Sequence, residues 1–186
     1  MKKVVSIILA GLMILSLAAC SGNKGEKVTL YAETWEGDNV RLSVDFYYPE
    51  DAGIKLEGDE EYPNWIDMKY EAKNMGIGPA LFEDTTFDAN KKYAQENEET
   101  YEEFKIGDYD CYGYESFGGY YIYVHLEEVS ETTDRYLIID TKTLDYSKKY
   151  VEGKAQYEDE VVKKIVESFE YHGVVEYPPV TEETEK

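Results

Sequence analysis

The stretch Tyr120-Tyr121-Ile122-Tyr123-Val124-His125-Leu126 changes character at every residue from Tyr121 onward. Ile122, Val124 and Leu126 fall on one side and Tyr121, Tyr123 and His125 on the other. A period of two built from β-branched and aromatic residues predicts a β-strand, here over 120–129, with one aliphatic and one aromatic face. Upstream, Phe117-Gly118-Gly119 reads as a turn leading back to a strand over 106–116. Downstream, 136–141 is a third strand, with Leu137, Ile138 and Ile139 at its centre.

Further out, Val40–Tyr48 alternates Val40, Leu42, Val44, Phe46 and Tyr48 with Arg41, Ser43, Asp45 and Tyr47. That pattern predicts a half-buried strand, ended by Pro49, which cannot donate to a ladder. A shorter strand is expected over 28–33, with Gly37-Asp38-Asn39 as the turn between the two, and others over 65–72 and 80–83. An acidic turn falls at 57–61. Over 88–104, Ala89, Tyr93, Asn97, Tyr101 and Phe104 recur at three- and four-residue steps, which predicts an amphipathic helix capped near Thr86 or Asp88. Residues 158–169 carry Val161, Val162, Ile165, Val166 and Phe169, the strongest helical stripe in the chain, behind acidic Glu158, Asp159 and Glu160. Strands, helix, strands, helix predicts an α+β fold: an antiparallel β-sheet with helices packed on its faces.

The 186 residues suit one domain. A formal charge of −21 disfavours nucleic acid and anionic lipid as partners. Aromatic residues at 15%, including 19 Tyr, argue against disorder. Two Cys and two His leave little for a zinc site or a disulfide framework, and no cofactor is expected.

Lys2 and Lys3 precede an uncharged, mostly apolar run from Val4 to Ala19, too short for a permanent span and organised like an export signal. Its end, Leu17-Ala18-Ala19-Cys20, resembles the lipobox of bacterial lipoproteins. The resemblance implies acylation of Cys20, cleavage before it, and retention on the extracytoplasmic face of the cell membrane by fatty chains. The expected division is a signal peptide at 1–19, a lipidated flexible tether at 20–27, one α+β domain at 28–173 and an acidic tail at 174–186.

Three short stretches also resemble the PsbP-like fold: Phe46-Tyr47-Tyr48-Pro49, Ile106-Gly107 with the return at Gly118-Gly119, and the closing run from Lys163 to Phe169. The resemblance implies an α/β/α sandwich and no catalytic residues, because members of that family mostly bind or scaffold.

Asp108, Asp110 and Gly113 hint at a calcium loop, but the fifth and twelfth positions are Tyr112 and Gly119 and the stretch alternates like a strand; no metal site is expected. The acidic runs read as solvated faces, and nothing in their spacing selects a carboxylate pair. Cys111 with His125 or His172 is the only thiol pairing available, and a lone thiol among tyrosines in a strand reads as buried and inert. The remaining feature is aromatic density. Tyr112, Tyr114, Tyr121 and Tyr123 form a partner-binding platform if their strands are neighbours, unless the helix over 88–104 covers them. The sequence thus predicts a non-enzymatic lipoprotein, tethered at Cys20, binding an envelope protein or glycan. The alternatives are an envelope hydrolase using carboxylates the sequence does not single out, or a structural spacer.

Overall fold

The computed structural model describes residues 25–59, 61–84, 86–144 and 153–177. The signal-like run, Cys20, most of the tether and the end of the acidic tail lie outside the described residues. Among the described residues, ten strands form two antiparallel sheets. β1 (Glu26–Ala32), β2 (Val40–Tyr48) and β10 (Glu170–Glu176) make the smaller one, in the order β1-β2-β10. The larger contains β3 (Lys55–Asp59), β4 (Tyr62–Tyr70), β5 (Met75–Asp84), β6 (Glu102–Ile106), β7 (Tyr109–Ser116), β8 (Gly119–Ser130) and β9 (Thr133–Thr143). Its order is β3-β4-β5-β9-β8-β7-β6. Three α-helices accompany them among the described residues: α1 (Phe87–Asn97), α2 (Gly153–Tyr157) and α3 (Glu160–Glu167).

This mostly β architecture corrects the expected α+β fold, and the helix-covered PsbP-like sandwich does not form. Three strands account for the difference. Residues 98–104 do not continue α1; the helix ends at Asn97 and the chain turns into β6, whose Glu102, Phe104 and Ile106 alternate inward. The Gly107-Asp108 loop, with Gly107 at φ 59°, closes a two-residue hairpin from β6 into β7. The presumed acidic turn at 57–61 contains the end of β3, and the residues after α3 form β10 against β2.

The core lies between the two sheets. Leu30, Leu42, Val44 and Phe46 from the small sheet meet Met68, Ile77, Leu81, Ile122, Val124, Leu137 and Ile139 from the large one. Burying each such side chain contributes about 1.5–3 kcal/mol. α3 closes this core with Val162, Ile165 and Val166, the predicted stripe. Its N-cap is Asp159, whose Oδ1 accepts from the amides of Val161 (3.0 Å) and Val162 (3.4 Å).

At one margin a buried cation ties the sheets together. Arg135 on β9 donates to Glu83 on β5 (2.7 Å), Glu127 on β8 (2.9 Å) and Glu36 in the β1–β2 connection (2.5 Å). Tyr171 of β10 adds a hydrogen bond to the same Glu127 oxygen (3.1 Å). Burial alone would lower the Arg135 pKa, but the three carboxylates outweigh it and hold the guanidinium above its ordinary value. No helix among the described residues is long and apolar enough to cross a membrane.

Candidate ligand-binding face

Strand alternation gives the large sheet a second face, pointing away from the small sheet, and register decides what meets there. Tyr112 sits opposite Tyr123, and Tyr114 opposite Tyr121. Across β9, Tyr123 faces Ile138 and Tyr121 faces Asp140. Across β5, Ile138 faces Ala80 and Asp140 faces Gly78, and Ala80 in turn faces Trp65 on β4. The outer face therefore carries two rows: Tyr112-Tyr123-Ile138-Ala80-Trp65, and Tyr114-Tyr121-Asp140-Gly78.

The four predicted tyrosines do come together, but they are not equivalent. Tyr112 and Tyr123 stack with centroids 4.7 Å apart and planes within 7°. Tyr114 stacks on Tyr121 at 5.8 Å and on Tyr123 at 5.9 Å, and the Tyr114 and Tyr123 hydroxyls lie 3.3 Å apart. Rings stacked across strands use their faces on one another and turn edges and hydroxyls outward.

One end of this ladder is sealed. Phe87 of α1 packs on the Tyr112 ring at 5.1 Å and Tyr101 packs on the same ring at 5.9 Å, leaving Tyr112 only 1% exposed. Its hydroxyl has no hydrogen-bond partner among the described residues. The helix is positioned from the sheet, because Asp134 Oδ2 on β9 accepts the Phe87 amide at 2.7 Å, the capping bond that Thr86 does not make. α1 thus covers Tyr112 and Tyr136, while Tyr93 points into solvent and Tyr114, Tyr121 and Tyr123 stay half-exposed. Burial pushes the Tyr112 and Tyr114 phenols well above their ordinary pKa, so both stay neutral.

At the open end, beside Tyr121, the face sinks into a groove of about 420 Å³. Gly78, Ala80 and Ile138 are its small and aliphatic lining, and Trp65, Phe82 and Tyr121 its aromatic one. Trp65 is 37% exposed. Gly78 is required by close approach, since a Cβ there would collide with the Asp140 carboxylate. Three charges complete the groove. Lys142 Nζ lies 3.1 Å from Asp67 Oδ1 and 3.6 Å from Asp140 Oδ2. Burial raises the pKa of Asp140, Asp67 adds to the rise, and Lys142 opposes it. Burial would lower the Lys142 pKa, but Asp140 and Asp67 hold it above its ordinary value.

Trp65, Phe82, Asp67, Asp140 and Lys142 are absent from the sequence-predicted site. Asp140 carried one signal, as the polar residue on the aromatic side of a strand centred on Ile138 and Ile139. Trp65 carried none, because its neighbours depend on β5 pairing with β9 across the whole β6–β8 insertion.

The other candidate chemistry is taken apart by the fold. Cys111 pairs with Val124 and belongs to the inner core, whereas His125 stacks on Phe87 on the outer face at 4.9 Å. The two therefore lie on opposite sides of one sheet, and burial pushes the Cys111 thiol up to about 11. The Asp108–Asp110 stretch is the β6–β7 hairpin, with Asp110 held by Lys105 at 2.9 Å. Asp45, Glu170 and His172 bring possible metal-ligating atoms within 4.8 Å of one another. The Asp45 carboxylate is already engaged, accepting from Thr29 (2.6 Å) and Lys27 (3.2 Å) and meeting His172 Nε2 at 2.8 Å. With the Lys27 ammonium supplying the positive charge, this cluster reads as a polar clasp joining β1, β2 and β10.

No family model, curated protein or solved structure matches the chain.

Proposed function

We propose that this is a lipid-anchored, extracytoplasmic binding protein without catalytic activity, held at the cell membrane through Cys20. Its ligand is a component of the cell envelope, and the outer face of the large sheet is the surface that takes it. The observation that carries the reading is the groove beside Tyr121, where Trp65, Phe82 and Tyr121 line one concavity together with Asp67, Asp140 and Lys142. Aromatic rings supply much contact area at little entropic cost, and the carboxylates and ammonium at the groove supply orientation. The separation of Cys111 from His125 supports a binding role over thiol catalysis.

The test has two parts. Cys20→Ser should move the protein from the membrane fraction to the medium; retention in the membrane would contradict the anchor. Isolated envelopes mixed with purified protein should retain the parent chain and release a Trp65→Ala/Tyr121→Ala double variant that still shows the parent circular dichroism. Equal retention would contradict the site.

A further inference from the structure

The turn between β7 and β8 holds an aromatic ring where tight hairpins favour glycine or asparagine. Phe117 and Gly118 are its two central residues, between the paired Ser116 and Gly119, and both have positive φ, 47° and 79°. A bulky side chain is disfavoured in that region, and Phe117 is 91% exposed, so no packing compensates. Stability is given up there for an exposed apolar tip. We propose that this tip is a membrane contact: the domain stands with the β7–β8 turn toward the bilayer, and the Phe117 ring enters the headgroup region of the membrane that holds Cys20. The inference rests on the anchor at Cys20 and is independent of the groove.

Topology places the tip at the anchored end. The β1–β2 connection is fastened to the far end of the large sheet, where Thr34 and the Trp35 amide donate to Glu83 and Glu36 meets Arg135. Gly25 and Glu26 stand at the other end of β1, beside Tyr48 and Pro49. β8 likewise runs from Gly119 to Glu127, the partner of Arg135, so the β7–β8 turn stands at the end opposite that cluster. α2 and α3 bridge the two positions: Gly153 packs against Gly119, and Ser168, just after α3, donates to the Tyr47 carbonyl at 3.0 Å. Five peptide steps separate Cys20 from Gly25, a reach of at most about 18 Å. The charges divide along the same axis. Glu33, Glu36 and Asp38 near the β1–β2 connection and Glu127, Glu128 and Glu131 around the β8–β9 turn lie at the far end. At the anchored end, one row across the large sheet reads Lys55-Lys69-Gly76-Lys142-Gly119, and its lysines meet Glu71, Glu57 and Asp67. The acidic field is thus carried away from the lipid, and an apolar tip among neutralised charges suits the headgroup boundary. A protein partner could also take an exposed ring, but the short reach from Cys20 holds this end of the domain against lipid.

The test uses the acylated protein in phosphatidylcholine vesicles, with or without a nitroxide near the top of the acyl chain. The chain has two tryptophans, Trp35 and Trp65. Trp65→Phe leaves Trp35, 82% exposed at the far end, as one reporter. Trp35→Phe/Trp65→Phe/Phe117→Trp places the only indole at the tip. The nitroxide should quench the tip reporter by about twofold or more and leave Trp35 emission unchanged. Quenching of Trp35 equal to or above that of the tip would overturn the inference and leave the anchor standing. If the acylated parent did not float with the vesicles, the anchor and the inference would fall together. Hydrogen exchange on the parent chain gives a second reading that needs no tryptophan replacement. Amides of residues 116–119 should exchange more slowly on vesicles than in the soluble Cys20→Ser form, and Phe117→Asn should abolish that slowing. Equal rates on vesicles and in solution would overturn the inference.

Discussion

The two faces of the seven-stranded sheet are written by alternate residues of the same strands, yet they serve different ends. On β8, Tyr120, Ile122 and Val124 point inward and are essentially sealed, while Tyr121, Tyr123 and His125 point outward and stay half-open. On β9, Leu137, Ile139 and Thr141 are sealed, while Ile138 and Asp140 line a groove. The inner face meets a second sheet and a helix, which remove most of its area from water. The outer face meets one short helix that reaches only one end. Cohesion therefore resides mainly on one side of the sheet and exposed chemistry on the other, except where α1 seals Tyr112 and Tyr136 on the outer face.

Four substitutions would break or sharpen this contrast. The largest effect belongs to Arg135→Ala, which leaves Glu83 buried against an absent cation and should cost about 4 kcal/mol in chemical denaturation. A loss under about 1 kcal/mol would mean that the two sheets do not depend on this link. Next, Ile122→Ala on the inner face should cost about 3 kcal/mol, whereas Tyr121→Ala, its sequence neighbour on the outer face, should cost about 1 kcal/mol. Equal costs would erase the distinction between the faces.

A smaller gain is expected from Phe117→Asn. Phe117 and Gly118 form the two-residue β7–β8 turn with φ of 47° and 79°, and Phe117 is 91% exposed. Asn tolerates the left-handed region better, so stability should rise by about 0.5–1 kcal/mol.

The smallest expected effect is also the most informative about the groove. Asp140→Asn should raise the melting temperature at neutral pH. Burial against Gly78 and Tyr121, with Asp67 alongside, raises the folded-state pKa against the pull of Lys142. The Asp140 contribution to stability is thus full below the unfolded value near 3.8 and lost as pH rises through the folded value. Parent and variant should converge as pH falls toward that lower limit. A less stable variant at neutral pH would show that the Lys142 pair, and not desolvation, governs this carboxylate.

The aromatic face was legible in the sequence because period-two alternation in 120–126 survives intact into β8, and the tyrosines of 109–116 oppose them in register. What surrounds that face was not. Trp65 and Asp140 meet there only because β5 pairs with β9, a long-range pairing that neither alternation nor turn chemistry encodes. The fold class was misread for local reasons. Tyr101 and Phe104 sit at a helical spacing from Tyr93 and Asn97, and this masked the inward alternation of β6, whose first inward residue is the acid Glu102. That glutamate accepts a hydrogen bond from Tyr120 at 2.5 Å, so an inward position was filled by a charge. β10 was obscured in another way, since its pairing with β2 shifts register between Tyr171 and Gly173 and no clean alternation remains. The Gly107-Asp108 pair was the available hairpin signal.

The central claim is that the groove between Trp65 and Tyr121 is a built recognition site and not a gap in packing. Two-dimensional NMR of the isotopically labelled protein, titrated with solubilised cell-envelope material at constant ionic strength, tests it most directly. The account predicts saturable shifts concentrated on Trp65, Gly78, Ala80, Tyr121, Asp140 and Lys142. Shifts spread evenly over the acidic surface, or centred on Asp45 and His172, would contradict it.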